Sequence, residues 1–149
     1  MKVSDLDRAI GFYEGVLGFD VQQRMGNSAA FLSAGGYHHH IGLNTWESRG
    51  GNPPSSGHTG LYHVAFLYPT REALGEAVGR VISAGHRIDG AADHGVSEAV
   101  YLSDPDGNGI ELYRDRPEAD WPRKPDGSLK MVNAPLNVAA LVSEFCKAA

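Results

Sequence analysis

The sequence predicts an α+β fold made of two copies of one unit, each a strand, a helix and three further strands. Two observations support this interpretation. The order of hydrophobic patterns in the first half of the chain returns in the second half, and 149 residues suit a single domain. A solenoid needs at least three repeats to bury its core, so two copies do not make one. We therefore expect the two copies to pair their sheets.

The first copy begins with a helix predicted over residues 5–18, where apolar residues recur at the spacing of one helical face. Ser4 or Asp5 can cap its first turn, and Gly18 can end it. The predicted apolar face consists of Leu6, Ala9, Ile10, Tyr13, Val16 and Leu17. Three strand-like runs follow, separated by glycine-containing turns: FDVQQRM, AAFLSA and YHHHIGL.

The second copy begins after a polar stretch rich in glycine and proline, SRGGNPPSSGHTG. LYHVAFLY predicts its first strand, and Thr70 caps a helix that ends at Gly85. The apolar face of this helix consists of Leu74, Val78, Val81 and Ile82. The last three strands are predicted in HRIDGA, EAVYLS and GIELYR. Within one domain, 1–149, we distinguish module one (1–46), a linker (47–59), module two (60–117) and a C-terminal tail (118–149).

Composition excludes several classes of partner and compartment. The net charge of -5 leaves no basic footprint, so we expect neither a nucleic-acid nor an anionic-membrane partner. No apolar run approaches the roughly 20 residues that span a bilayer, and the N-terminal segment does not have the pattern of a signal peptide. The single cysteine, Cys146, cannot form an internal disulfide, which favours the cytoplasm.

A carboxylate occupies an unusual position in the last predicted strand. Glu111 lies between Ile110 and Leu112, where strand propensity and burial both disfavour glutamate. Because side chains alternate between the two faces of a strand, Glu111 and Tyr113 point away from the apolar side. This position favours a functional role for Glu111.

Histidine side chains are also predicted on strand faces that point away from the apolar residues. By the same alternation, His63 points away from the apolar residues of LYHVAF, and His38 and His40 share a face in YHHHIGL. His40 and Glu111 also occupy the same place in the two copies, each on a last strand. A single strand histidine is more often structural, but imidazole and carboxylate together supply the donors of a divalent metal site. The sequence therefore predicts a metal held at least by His63 and Glu111.

Three segments of the chain carry a family resemblance: VSDLDRAIGFYEGVLGF, GLYHVAF and LSDPDGNGIELY. They resemble the vicinal oxygen chelate superfamily, which includes glyoxalases, fosfomycin-resistance proteins and extradiol dioxygenases. Within it, AGGYHHHIGLNTW, DHGVSEAVYLSDPDGNGIELYRDRP and the following Trp121 are most similar to catechol 2,3-dioxygenases. The resemblance reaches to about Pro117. It implies two βαβββ modules forming a cup-shaped mixed sheet around a metal site.

The resemblance also implies the residues of the site. Two of the family's metal ligands fall on His63 and Glu111. Extradiol members carry a Tyr ten residues before the ligand Glu, where Tyr101 stands, and a His further upstream, where His94 stands at a different spacing. This implies that His94 is the acid–base residue and that Tyr101 donates to an oxygen of the substrate or intermediate.

The family's third ligand is expected on the first strand of module one. His63 precedes the helix cap Thr70 by seven residues, and the same offset from Ser4 falls before Met1. We therefore expect a His-bearing segment ahead of Met1. Within this chain His40 is the substitute, with His38 as the alternative, because last strands of the first module supply a ligand in glyoxalase-like members.

The implied function is Fe(II)-dependent extradiol cleavage of a catechol-like aromatic with O2, in a cytoplasmic homodimer. One alternative is a glyoxalase-like isomerase or lyase that uses Zn, Ni or Mn, which a fourth ligand at His40 would favour. The other is a non-catalytic protein that binds or sequesters a small aromatic ligand. In the tail, the apolar run at 136–145 predicts a helix that seals the outside of a sheet; packing on a partner subunit or covering the cup are the alternatives.

Overall fold

The computed structural model describes residues 1–145 and confirms an α+β fold with two sheets. Two units can be distinguished. The first comprises Met1–Leu61 with Asp104–Asn108, and the second comprises Tyr62–Ser103 with Gly109 and the residues after it. No helix within the described residues is long and apolar enough to cross a membrane. Cys146 lies outside the described residues.

The first unit contains one helix, α1 (Leu6–Gly15), and three strands, β1 (Asp20–Met25), β2 (Ala29–Ser33) and β3 (Ile41–Asn44). The strands form an antiparallel sheet of order β1-β2-β3. The Asp5 carboxylate accepts a hydrogen bond from the Arg8 amide at 3.0 Å and so caps α1. Lys2 forms an isolated parallel bridge with Asn44, at the place where the repeat predicts a first strand.

The second unit has a larger sheet and two helices. Its elements are β4 (Val64–Leu67), α2 (Arg71–Ser83), β5 (Ile88–Asp93), β6 (Ser97–Ser103), β7 (Gly109–Asp115), a 3₁₀ turn (Glu118–Asp120), β8 (Ala134–Pro135) and α3 (Val138–Phe145). The strand order of the sheet is β4-β7-β6-β5-β8. Strand β4 runs parallel to β7, and the other pairs are antiparallel. Thr70 caps α2, as predicted, by accepting a hydrogen bond from the Ala73 amide.

The predicted apolar helix faces are largely the buried ones. Leu6, Ala9, Ile10, Tyr13 and Leu17 are buried, and Val16 is half-buried. Phe12 is buried as well, and its ring packs edge-on against the Tyr13 ring with 5.1 Å between the ring centroids. The buried face of α1 is therefore wider than predicted. In α2 the predicted face is buried except for Ile82, which is 46% exposed near the end of the helix.

Two strands begin later than the sequence indicated. Strand β3 begins at Ile41, so His38 and His40 lie in the preceding loop and the strand parity predicted for them is wrong. Gly35 and Gly36 both have positive φ there, which bends the chain before β3 begins. Strand β4 begins at Val64, directly after His63.

The DPDGN segment forms a hydrogen-bonded loop within the first unit. Asp104 accepts from the Tyr13 hydroxyl at 3.0 Å and from the amides of Asp106 and Asn108 at 2.9 and 2.8 Å. Asp106 accepts from the Arg8 guanidinium at 2.7 Å. Burial and the Asp104 carboxylate raise the pKa of Tyr13, so this phenol stays a hydrogen-bond donor. The motif therefore has a structural role here, in fixing α1.

The predicted helix of the tail is confirmed as α3, and it lies against another helix. Leu141 is fully buried. A Cβ added to Gly75 of α2 would stand 2.8 Å from the Leu141 carbonyl oxygen, so the backbones of α2 and α3 approach closely. The expected position on the outside of a sheet is thereby corrected to a position on α2.

Candidate metal centre

The four site residues predicted in module two form one continuous chain of polar contacts. His63 Nε2 lies 2.9 Å from Glu111 Oε2. The other carboxylate oxygen of Glu111 accepts a hydrogen bond from the Tyr101 hydroxyl at 3.1 Å. That hydroxyl lies 2.9 Å from Nε2 of His94. The metal-ligand candidates and the acid–base candidates therefore meet at Glu111 and Tyr101.

The register of the sheet explains why these side chains meet. Tyr101 on β6 lies directly opposite Glu111 on β7, and Ala65 on β4 lies opposite Glu111 on its other side. His63 directly precedes β4, two residues before Ala65, and its ring reaches the Glu111 carboxylate. Ile110 and Leu112 are buried on the opposite face, as the alternation predicted. The sheet thus presents the imidazole, the carboxylate and the phenol side by side.

A glycine that the sequence reasoning did not single out allows His63 to approach β7. A Cβ added to Gly109 would stand 2.1 Å from the carbonyl oxygen of Tyr62 and 3.2 Å from Cα of His63. No side chain fits in that space. A glycine at the start of a strand, two residues before a candidate ligand, is a sequence signal for such a close backbone approach.

The surroundings of His63 and Glu111 fit a divalent metal. Two donors in adjacent positions on one ion, each bound at about 2.1 Å, lie about 3 Å apart, close to the 2.9 Å between Nε2 and Oε2. Nδ1 of His63 is buried and has no hydrogen-bond partner among residues 1–145, so the fit to a metal rests on Nε2 alone. The side chains remain partly accessible, at 31% for His63 and 15% for Glu111. Nitrogen and oxygen donors of this kind suit Fe, Mn, Zn or Ni.

Tyr101 is held in its protonated form. Burial, followed by the charge of the Glu111 carboxylate and the hydrogen bond to it, raises the pKa of Tyr101 to about 12. At neutral pH the phenol is therefore a donor. It stands between an acid–base candidate, His94, and a metal-ligand candidate, Glu111.

His40 belongs to the first unit and lies in the loop before β3. Its Nδ1 accepts a hydrogen bond from the Ala34 amide at 3.2 Å, and its ring lies 5.0 Å from the ring of Tyr37. In the same loop, the Nδ1 atoms of His38 and His39 lie 2.8 Å apart. Among the described residues no group of three or more His, Cys, Asp and Glu is arranged to hold a metal ion. The role of His40 as a third ligand stays a prediction.

Comparison with known proteins identifies the family. Residues 1–112 match the model of the Glyoxalase/Bleomycin resistance protein/Dioxygenase superfamily. The chain belongs to this superfamily. The resemblance predicted from the sequence is thereby confirmed. The tail lies beyond the matched residues.

Two similar relatives are ring-cleaving enzymes by name. The chain is 42% identical over 149 residues to a catechol-2,3-dioxygenase of Bacillus subtilis (strain 168), covering 97% of this chain and 50% of that protein. It is 31% identical over 116 residues to biphenyl-2,3-diol 1,2-dioxygenase 3 of Rhodococcus globerulus, covering 77% of this chain and 60% of that protein. The chain thus spans about half the length of the first relative.

A solved structure supports the same fold. The lactoylglutathione lyase from Agrobacterium tumefaciens superposes with a TM-score of 0.60 at 23% identity, covering 76% of this chain and 88% of that one. At this identity the likeness shows the fold alone. It confirms the fold class predicted from the two copies.

Proposed function

We propose that this chain carries the active site of a metal-dependent extradiol dioxygenase, which opens the ring of a catechol-like aromatic with O2. The observation that carries the proposal is the unbroken chain His63–Glu111–Tyr101–His94, because it joins a metal-donor pair to a proton-transfer pair. The 42% identity to a protein named catechol-2,3-dioxygenase supports it. The small aromatic substrate and O2 are part of the proposal.

His63 and Glu111 would hold the metal, which we propose is Fe(II), with Mn, Zn and Ni as the alternatives. His40 is the proposed third ligand of this chain. When bound, Fe(II) would supply a Lewis acid and a redox centre for the reaction of a catecholate with O2. His63 and Glu111 contribute by fixing two adjacent donors on a rigid sheet, which is the requirement for orienting two substrates together.

Tyr101 and His94 would handle the protons. The raised pKa of Tyr101 keeps its hydroxyl protonated, so it can donate a hydrogen bond to a substrate oxygen beside Glu111. His94, whose Nε2 lies 2.9 Å from that hydroxyl, would take a proton from the substrate and return it later. A single side chain acting in both directions suits a reaction that begins and ends with proton transfer.

We further propose that the protein works as a cytoplasmic homodimer. Strand β4 is at the edge of its sheet, and Leu67 on it is 58% exposed. Exposed apolar edges of this kind need to be paired or covered, and a second copy is the simplest cover.

Oxygen uptake by the iron-loaded protein tests the proposed function. The chain is loaded with Fe(II) without air and then mixed with air-saturated buffer and a panel of catechols. We expect one molecule of O2 to be consumed for each molecule of a yellow ring-opened product that is formed. A fully iron-loaded protein that consumes no O2 with any catechol would contradict the proposal, and isomerisation of a hemithioacetal by it would favour the glyoxalase-like alternative.

A further inference from the structure

We propose that the C-terminal tail positions His94, with the backbone carbonyl of Val132 holding a proton on Nδ1 and leaving Nε2 as the proton acceptor. The catalytic meaning of this role rests on the proposed function. The tautomer itself is a property of the folded chain and is measurable without metal or substrate. The tail lies beyond residues 1–112, which the family model matches.

Val132 contacts His94 on both its backbone and its ring. The Val132 amide donates to the His94 carbonyl at 3.0 Å. Nδ1 of His94 lies 3.1 Å from the Val132 carbonyl oxygen. The neighbouring strand β8 pairs with the end of β5, joining Ala134 to Asp93 and Pro135 to Ala92. The tail is therefore anchored next to the histidine that it contacts.

The turn that carries His94 is packed directly under the tail. Gly95 has φ +76°, and a Cβ added there would meet Cγ of Pro122 at 2.9 Å and Cγ2 of Val132 at 3.3 Å. The Gly95 amide donates to the Asp93 carboxylate at 2.8 Å, and Arg116 holds that carboxylate at 2.6 Å. Two tail residues and one ion pair thus leave little freedom for the turn.

The chemistry of the carbonyl group decides the tautomer. A carbonyl oxygen only accepts hydrogen bonds, so a bond to Val132 requires the proton to be on Nδ1 of His94. In a neutral imidazole the other nitrogen, Nε2, then carries a lone pair. Nε2 faces the Tyr101 hydroxyl, whose single proton serves either Nε2 or Glu111 at one time. When that proton is directed to Glu111, Nε2 is free to accept a proton from the substrate.

Nitrogen-15 NMR of the imidazole rings tests this inference in the whole chain, without metal and again with Zn(II). We expect His94 in the Nδ1–H tautomer. Val132→Pro removes the amide that donates to His94 and constrains the adjacent backbone, so we expect a mixture of tautomers. Val132→Ala is the matched control: both contacts to His94 come from the backbone, so the Nδ1–H tautomer should remain.

The kinetic constants of the same variants distinguish a role of the tail in positioning His94 from a purely structural role. With Fe(II) bound at the wild-type level, Val132→Pro should lower kcat by about 10-fold or more with KM little changed, since general acid–base catalysis contributes at least that much. Gly95→Ala, which presses a methyl group against Pro122 and Val132, is the second variant and should disturb the tautomer in the same direction. An Nε2–H tautomer in the wild type, or an unchanged tautomer and kcat in both variants, would overturn the inference. A protein with the expected tautomer but no O2 uptake would instead contradict the proposed function.

Discussion

Replacing Gly109 by alanine should weaken metal binding without touching a ligand. The added Cβ would lie 2.1 Å from the Tyr62 carbonyl oxygen, which is about 1 Å closer than the shortest tolerable distance between two such atoms. If the Tyr62–His63 backbone moves away by that amount, Nε2 and Oε2 separate from 2.9 Å to beyond hydrogen-bonding distance. Metal–ligand distances tolerate only about 0.2 Å. We therefore expect metal affinity to fall about 10–100-fold, or roughly 1.4–2.8 kcal/mol.

The matched control is Gly90→Ala in the same sheet. A Cβ there meets nothing closer than Tyr101 Cδ2 at 3.9 Å, an ordinary contact. Zn(II) affinity is measured by competition with a chromophoric chelator, and the free energy of unfolding of the metal-free protein by denaturant titration. Overpacking should also destabilise Gly109→Ala by about 1–3 kcal/mol. Wild-type metal affinity in folded Gly109→Ala, or an equal loss in Gly90→Ala, would refute the reasoning.

Four further results are expected. His63→Ala and Glu111→Ala should each keep the far-UV circular dichroism of the fold and lose tight metal binding; a full metal equivalent by elemental analysis in either would contradict the assignment. Tyr101→Phe should retain iron but lower kcat by about 10–100-fold, and an unchanged kcat would exclude a role for the hydroxyl. Glu98 is buried against three arginine side chains, so Glu98→Gln should lower the free energy of unfolding by about 3 kcal/mol in denaturant titration, whereas a loss under 1 kcal/mol would make the cluster dispensable. Light scattering at micromolar concentration should give the mass of a dimer, and a monomer would contradict the homodimer.

The features that sequence could predict are those decided by near neighbours along the chain. Thr70 was identifiable as a helix cap because capping depends on the residue and the next turn alone. The orientation of Glu111 followed from the two-residue period of a strand flanked by Ile110 and Leu112. Both arguments need only a few consecutive residues, and both are confirmed.

The features that sequence missed depend on contacts between distant segments. Strand β3 begins at Ile41 because its pairing with β2 ends there, after the glycine turn. The loop position of His40 follows from this start. The approach of Gly109 to Tyr62 joins segments 47 positions apart, and no local pattern fixes it. The contact between His94 and Val132 spans 38 residues in the same way.

The fate of the oxygen atoms tests the central claim most directly. The Fe(II)-loaded chain is supplied with ¹⁸O₂ and a catechol that it consumes, and the product is examined by mass spectrometry and its cleavage position determined. An extradiol dioxygenase places both atoms of one O2 in a ring-opened product. It cuts the C–C bond between one hydroxyl-bearing carbon and the adjacent carbon that carries no hydroxyl. We predict that result for this chain. The carbonyl oxygen of such a product exchanges with water, so a single remaining label agrees with the account. A product with no labelled atom, or one cut between the two hydroxyl-bearing carbons, would contradict the account.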